Sequence, residues 1–233
     1  MEEKAIVLGG KETTLFPSCV ALLNESLVIC SGVVIAPNIV LSAAHCSQKR
    51  SSFKKIFIGA NVNLSGEIVN IKKAYLHDYY VESTLENDLQ ILILEQPVIS
   101  ATPCKIASSK FIEKASQATI VGYGTNRSDS LIGIGIKRQA LMSLEINSSL
   151  YGCNKDLEIL ALPVSKSNIA DGCLCDSGGP LYIKANNECL LAGILSRNVN
   201  TGKPAKCGEG SIYLRLDRYI DWILSIPEIK EKR

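Results

Sequence analysis

A chain of 233 residues with 46% hydrophobic and 21% charged residues has ample material for one or two compact domains. Its 25 basic and 23 acidic residues leave a formal charge of +2, which gives no support to a nucleic-acid or anionic-membrane surface, and no apolar run reaches the ~20 residues needed to span a bilayer. Nine cysteines without a zinc-type Cys-x-x-Cys or Cys/His cluster favour disulfides and an oxidising compartment, and the odd number leaves at least one thiol over.

Met1-Glu-Glu-Lys4 lacks the basic start and apolar middle of a signal peptide, so a leader is expected to have been removed from a secreted or periplasmic protein. Ala5-Ile-Val-Leu-Gly-Gly10 reads as a first strand and turn. From Cys19 to Lys73, β-rich runs (Val20–Leu23, Leu27–Cys30, Val33–Ala36, Ile39–Leu41, Ile56–Ile58, Ile68–Ile71) alternate with turn residues such as Pro37-Asn38, Gly59 and Gly66. Short strands punctuated in this way predict an antiparallel barrel or sandwich. The basic residues Lys49, Arg50, Lys54 and Lys55 read as a solvated loop.

Within these strands Cys30 and Cys46 flank a hairpin and bring His45 beside a staple. The second of the two histidines, His77, lies in the Tyr-rich stretch His77-Asp-Tyr-Tyr80. Next, Asp88 stands at the mouth of the apolar run Leu89-Gln-Ile-Leu-Ile-Leu94, where alone it would be a turn or strand-edge residue. Residues from about 95 to 117 read as a crossover between two halves. Later strands are expected from Ala118, over Lys137–Ile146, Leu181–Lys184, Cys189–Ser196 and Ser211–Leu216. A C-terminal helix is expected to start at Asp217 as N-cap, carry Tyr219, Ile220, Ile223 and Leu224 on one face, and stop before Pro227.

Asp171-Gly-Cys-Leu-Cys-Asp-Ser-Gly-Gly-Pro180 places Ser177 between an acid and two glycines, a tight exposed loop rather than a helix or central strand. A serine so placed suggests a nucleophile once a base and an orienting acid are found elsewhere.

Three motifs together, Ser42-Ala-Ala-His-Cys46, Asn87-Asp-Leu89 and Asp176-Ser-Gly-Gly-Pro180, resemble those of the chymotrypsin/trypsin family of serine proteases, and their His, Asp, Ser order matches it. Gly122-Tyr-Gly124 resembles the family's Gly-Trp-Gly. The resemblance implies an all-β fold of two six-stranded antiparallel barrels with a C-terminal helix. It places the first barrel at 7–107, the second at 108–214, and the helix and tail at 215–233 against the first; residues 1–6 are then a propeptide remnant.

The same resemblance assigns His45 as base, Asp88 as the acceptor that fixes its tautomer, and Ser177 as nucleophile, with the N–H groups of Ser177 and Cys175 as the oxyanion hole. Cys175 departs from the family's glycine: its Cβ costs roughly 1–2 kcal/mol in a left-handed conformation and crowds the substrate carbonyl. A slow protease, a hole formed only on substrate binding, or an inactive chain all follow. Asp176 is implied to receive the ammonium freed by a cut before Val7 or nearby. Asp171 is implied at the base of the primary specificity pocket, favouring Arg or Lys, with Ser196, Arg197, Asn198 and Ser211 on its walls. There Asn198 and Ser211 narrow the pocket, and Arg197 neutralises Asp171 or meets an acidic substrate residue.

Cys30–Cys46 and Cys173–Cys207 are the implied disulfides, a swapped Cys175–Cys207 bridge remains open, Cys104 stands where some members of the family tether a propeptide or another strand, and Cys19, Cys153 and Cys189 lack obvious family partners. No metal or organic cofactor is required. The expected partners are a protein or peptide substrate, an activating protease and a protein inhibitor, with a monomeric chain. A non-catalytic binding or regulatory module on the same fold is the competing reading.

Overall fold

The structure, a computed structural model, describes residues 10–48, 54–126, 132–165, 171–201 and 207–230. Val7 and the expected propeptide remnant lie outside the described residues.

After a two-residue strand β1 (Lys11–Glu12), six strands close into a first barrel: β2 (Cys19–Asn24), β3 (Leu27–Ala36), β4 (Ile39–Ser42), β5 (Lys55–Ile58), β6 (Glu67–Leu76) and β7 (Gln90–Leu94). They neighbour one another in the order β2-β3-β4-β7-β6-β5, all antiparallel. A short helix α1 (His45–Gln48) follows β4. The turn residues read from the sequence fall between these strands, which is why the runs stay short enough to curl shut.

The connecting segment holds one helical turn, α2 (Ser109–Ile112). A second set then forms: β8 (Gln117–Gly122), β9 (Arg138–Ile146), β10 (Glu158–Pro163), β11 (Pro180–Ala185), β12 (Glu188–Asn198) and β13 (Ser211–Arg215). Their order is β9-β10-β13-β12-β11-β8, and the β8–β9 pairing closes them into a second six-stranded barrel, with β1 added on β9. β10 is the strand that the sequence reading did not anticipate. Its run Ile159-Leu-Ala-Leu162 is almost wholly apolar, so it lacks the alternation that marks a half-exposed strand.

Alternate residues of the first barrel's strands separate into two cores. Val20, Leu22, Val34, Val40, Ile56 and Leu92 pack only among first-barrel residues. Ala21, Leu23, Val33, Leu41 and Ile91 join Tyr123, Tyr182, Leu191 and Leu214 of the second barrel in a shared cluster. The two barrels are therefore held by continuous apolar packing and not by a linker.

At the C-terminus a turn of 3-10 helix (Leu216–Arg218) leads into α3 (Ile220–Ser225) and α4 (Pro227–Lys230). One detail differs from expectation. Asp217 is not the cap of α3; its carboxylate accepts from Arg215 Nε and Nη2, each at 2.9 Å. α3 stops before Pro227 as expected, and Pro227 opens the further helix α4, because a first-turn residue needs no N–H and tolerates a fixed φ. The helices pack on β6, where Tyr75 Oη donates to Glu228 Oε1 at 3.1 Å and His77 lies with its ring 4.8 Å from Trp222 and 5.4 Å from Tyr219. His77 is thus part of an aromatic packing site. Among the described residues, no helix is long and apolar enough to cross a membrane.

Candidate active site

His45 begins α1, directly after the last residues of β4, and the Cys30–Cys46 disulfide ties that turn to β3. Asp88, completely buried, precedes β7, which pairs with β4. Strand pairing therefore delivers the two side chains to the same end of the barrel. His45 Nδ1 lies 2.7 Å from Asp88 Oδ2, and the His45 backbone N–H donates to Oδ1 at 2.8 Å. A third donor comes from the other barrel: Ser196 Oγ, 2.7 Å from Oδ2. With Nδ1–H given to the carboxylate, the lone pair sits on Nε2, as a general base requires.

Ser177 lies in the loop between Asp171 and β11, and this loop is docked on the first barrel through a residue that the sequence reading passed over. Buried Ser31 of β3 donates its N–H to Ser177 O (2.8 Å) and its hydroxyl to Cys175 O (3.1 Å). Its own carbonyl accepts from Ser42 Oγ (2.8 Å), and Tyr123 N–H donates to its hydroxyl (3.2 Å). The only sequence signal for Ser31 was its place between Cys30 and Gly32, at the start of the hairpin that Cys30 and Cys46 flank. Gly178, at φ +79°, approaches so closely that a Cβ would lie 2.1 Å from Ser42 Oγ and 2.5 Å from Ser31 O. The glycine after the serine is therefore demanded by the barrel–barrel contact as well as by the turn. Among the described residues no hydrogen bond joins Ser177 Oγ to His45; such bonds often form only with substrate in place.

Cys175 adopts φ +72°, a left-handed conformation costing a non-glycine residue roughly 1–2 kcal/mol. Its Sγ lies 3.3 Å from Val28 O, and the side chain joins the shared core between the barrels. Cys173 is bonded to Cys207, so the swapped bridge is not formed in this structure.

Asp176 is buried, with Oδ1 accepting from Gly124 N–H (2.8 Å) and Oδ2 from Cys173 N–H (2.9 Å). Burial pushes its carboxyl up to about 7, against the lowering effect of those two hydrogen bonds and of the Arg138 charge. Gly122 and Gly124 make room for it: a Cβ at either would fall within 2.5 Å of its carboxylate.

Asp171 is fully buried. Its Oδ2 accepts from Gly208 N–H (2.8 Å), Gly210 N–H (3.0 Å) and Asn198 Nδ2 (3.4 Å), and its Oδ1 from Ser211 Oγ. Burial raises its carboxyl above the usual range, opposed by the hydrogen bonds from Ser211, Gly208 and Gly210. The Asn198 amide also donates to Gly172 O (2.6 Å) and to Ser211 Oγ (3.2 Å), so Asn198 and Ser211, expected to narrow the pocket, both bond Asp171 itself. Arg197 turns elsewhere. It grips Glu158 with Nη1 and Nη2 (2.6 and 2.9 Å) and donates to Gly152 O (3.0 Å), so its charge is balanced by Glu158 and not by Asp171. Cys30, His45 and Cys46 have metal-like spacing, but both sulfurs are committed to the disulfide.

The family model for trypsin matches residues 7–223. The chain belongs to the trypsin family. Its similarity to trypsin of Sarcophaga bullata is 29% identity over 237 residues, covering 93% of this chain and 87% of that protein. It is 26% identical to tissue-type plasminogen activator of Bos taurus, covering 84% of this chain, and 26% identical to complement factor I of Rattus norvegicus, covering 93%. The chain spans only 38% of the length of each of those two larger relatives. Among solved structures, mouse neuropsin, described as a serine protease, superposes with a TM-score of 0.74 at 23% identity, covering 92% of this chain and 96% of that one, which shows the shared fold. Trypsin-family membership makes this a serine-protease scaffold.

Proposed function

We propose that the chain is a serine endopeptidase that hydrolyses peptide bonds through an acyl-enzyme. The observation that carries this reading is the doubly bonded His45–Asp88 pair, buttressed by Ser196, beside a Ser177 loop docked on the same barrel. His45 Nε2 takes the Ser177 Oγ proton as the oxygen attacks the carbonyl carbon; the proton then passes to the leaving amine, and water repeats the sequence to free the acid. The N–H groups of Ser177 and Cys175 receive the oxyanion.

For specificity, we place Arg or Lys next to the scissile bond, with Asp171 as its counter-charge. The Asn198 amide, at 3.4 Å longer than the bonds from Gly208 and Gly210, is the contact on Asp171 that an incoming cation displaces. A cut before Val7 supplies an ammonium to Asp176, so the protein is made as a zymogen, acts outside the cytoplasm as a monomer, and meets an activating protease and a protein inhibitor. A second reading, a weak or inactive pseudoprotease serving as a binding module, is favoured by one observation, the left-handed cysteine at position 175.

Fluorophosphonate labelling separates the two. The test uses the full chain with Glu2–Ile6 replaced by Asp-Asp-Asp-Asp-Lys, so that enteropeptidase exposes Val7. Labelling of the cut chain, abolished by Ser177→Ala, is expected; an unlabelled cut chain that unfolds cooperatively would establish the pseudoprotease. Peptides varying only the residue before the scissile bond test the Arg/Lys preference, which fails if Phe, Leu or Ala peptides are cut equally well.

A further inference from the structure

Arg138, on β9, heads the fully buried side chains by size and is 1% exposed. An interior guanidinium is costly unless it is paired and fully hydrogen-bonded. Its partners go only part of the way. Nη1 donates to Gly133 O (2.5 Å), Ile136 O (3.3 Å) and Gly124 O (3.4 Å). Nη2 stands 3.5 Å from the carboxylate of Glu12, a largely exposed side chain whose charge is screened by water, and among the described residues Nε has no partner.

The remaining compensation lies on the other side of Gly124. That residue offers its carbonyl to Arg138 and its N–H to Asp176 Oδ1, so a buried cation and a buried anion are held at the two ends of one glycine. The two charges attract across it. Among the described residues, the other titratable groups that act on Asp176 supply no positive charge: Asp171 is acidic, Cys19 is a buried thiol on β2, and Tyr213 is a buried phenol on β13.

We infer that Arg138 is a positioning residue for the nucleophile loop: it is the resident counter-charge of Asp176, and with Gly124 it holds the Cys173–Ser177 turn in shape before any new N-terminus is made. This rests on the proposed serine-protease reading. It adds that the uncut chain retains measurable activity, and that an ammonium delivered to Asp176 by cutting makes Arg138 largely dispensable.

The experiment uses the full chain with the enteropeptidase site, before and after cutting, in wild-type, Arg138→Gln, Arg138→Lys and Glu12→Gln forms. It reads fluorophosphonate labelling rates and thermal midpoints. Uncut wild type is expected to label within about 100-fold of the cut form. Arg138→Gln is expected to slow the uncut form by at least about 30-fold and the cut form by no more than about threefold, a split that general loss of structure would not produce. Arg138→Lys should keep the uncut rate within about threefold, and Glu12→Gln should leave it unchanged. Equal losses in cut and uncut Arg138→Gln, a Glu12→Gln effect equal to that of Arg138→Gln, or an uncut wild type that is silent while the cut form labels would each overturn the inference alone. If Arg138→Gln does not fold, a more than tenfold loss in uncut Arg138→Lys at an unchanged midpoint overturns it. If no form labels, cut or uncut, the serine-protease reading falls and the inference with it.

Discussion

On the first barrel, His45 and Asp88 are fixed by paired strands, a disulfide and three hydrogen bonds onto one carboxylate. On the second, the loop from Asp171 to Gly179 gathers two buried carboxyls, a left-handed cysteine and two glycines whose neighbours leave no space for a side chain. The first half can be rigid because its task, holding a tautomer, is the same for every substrate. In the proposed enzyme the second half must bind a variable side chain and a developing negative charge. Rate should therefore be governed mainly by the first half and selectivity by the second.

The largest expected effect tests the rigid half. Asp88→Asn keeps the shape of the site but presents an amide that favours the wrong imidazole tautomer, and kcat should fall by about 10⁴. Steady-state kinetics on the cut chain measure it, and a loss under tenfold would mean that His45 is oriented by something other than Asp88.

An intermediate effect is expected at the specificity end of the loop. Asn198→Gly removes the amide that bonds Asp171, Gly172 O and Ser211 at once. The ratio of kcat/KM for Arg over Ala peptides should rise by roughly 10–100-fold, the range expected when a buried carboxylate gains a charged partner, with kcat on the better substrate little changed. A ratio that falls would indicate that Asn198 itself receives the substrate side chain.

The smallest effect is expected at Cys175→Gly. Relief of the left-handed strain, roughly 1–2 kcal/mol, is offset by the greater freedom of glycine in the unfolded chain and by loss of the Sγ contact to Val28 O. The thermal midpoint should move by less than about 4 °C. Because the thiol points into the shared core, kcat should change less than about threefold. A tenfold rise would show instead that the cysteine obstructs the oxyanion site and would narrow the difference between the two halves.

Turn residues between short β-rich runs are local cues and pointed to an antiparallel barrel or sandwich, and the double barrel followed from the family resemblance of three motifs, each within a few residues. What escaped reading depends on partners far apart in the chain. Arg197 was expected near Asp171, but Glu158 lies on β10, a strand whose unbroken apolar run hid it, and no local pattern joins positions 39 apart. Ser31 acts on Cys175 across 144 residues. Burial of Arg138 likewise could not be inferred from a basic residue at a strand start, since only the closed barrel removes it from water.

The cross-bracing by Ser31 and Ser196 bears on how the protein is made. Ser31 of the first barrel holds the backbone of the Ser177 loop, and Ser196 of the second holds Asp88 of the first. During synthesis the N-terminal barrel emerges first, carrying base and acid but no nucleophile. The nucleophile loop gains its support only when the second barrel closes on a finished first one. A half-made or half-folded chain thus leaves His45 and Asp88 without the Ser177 loop until the last strand is in place.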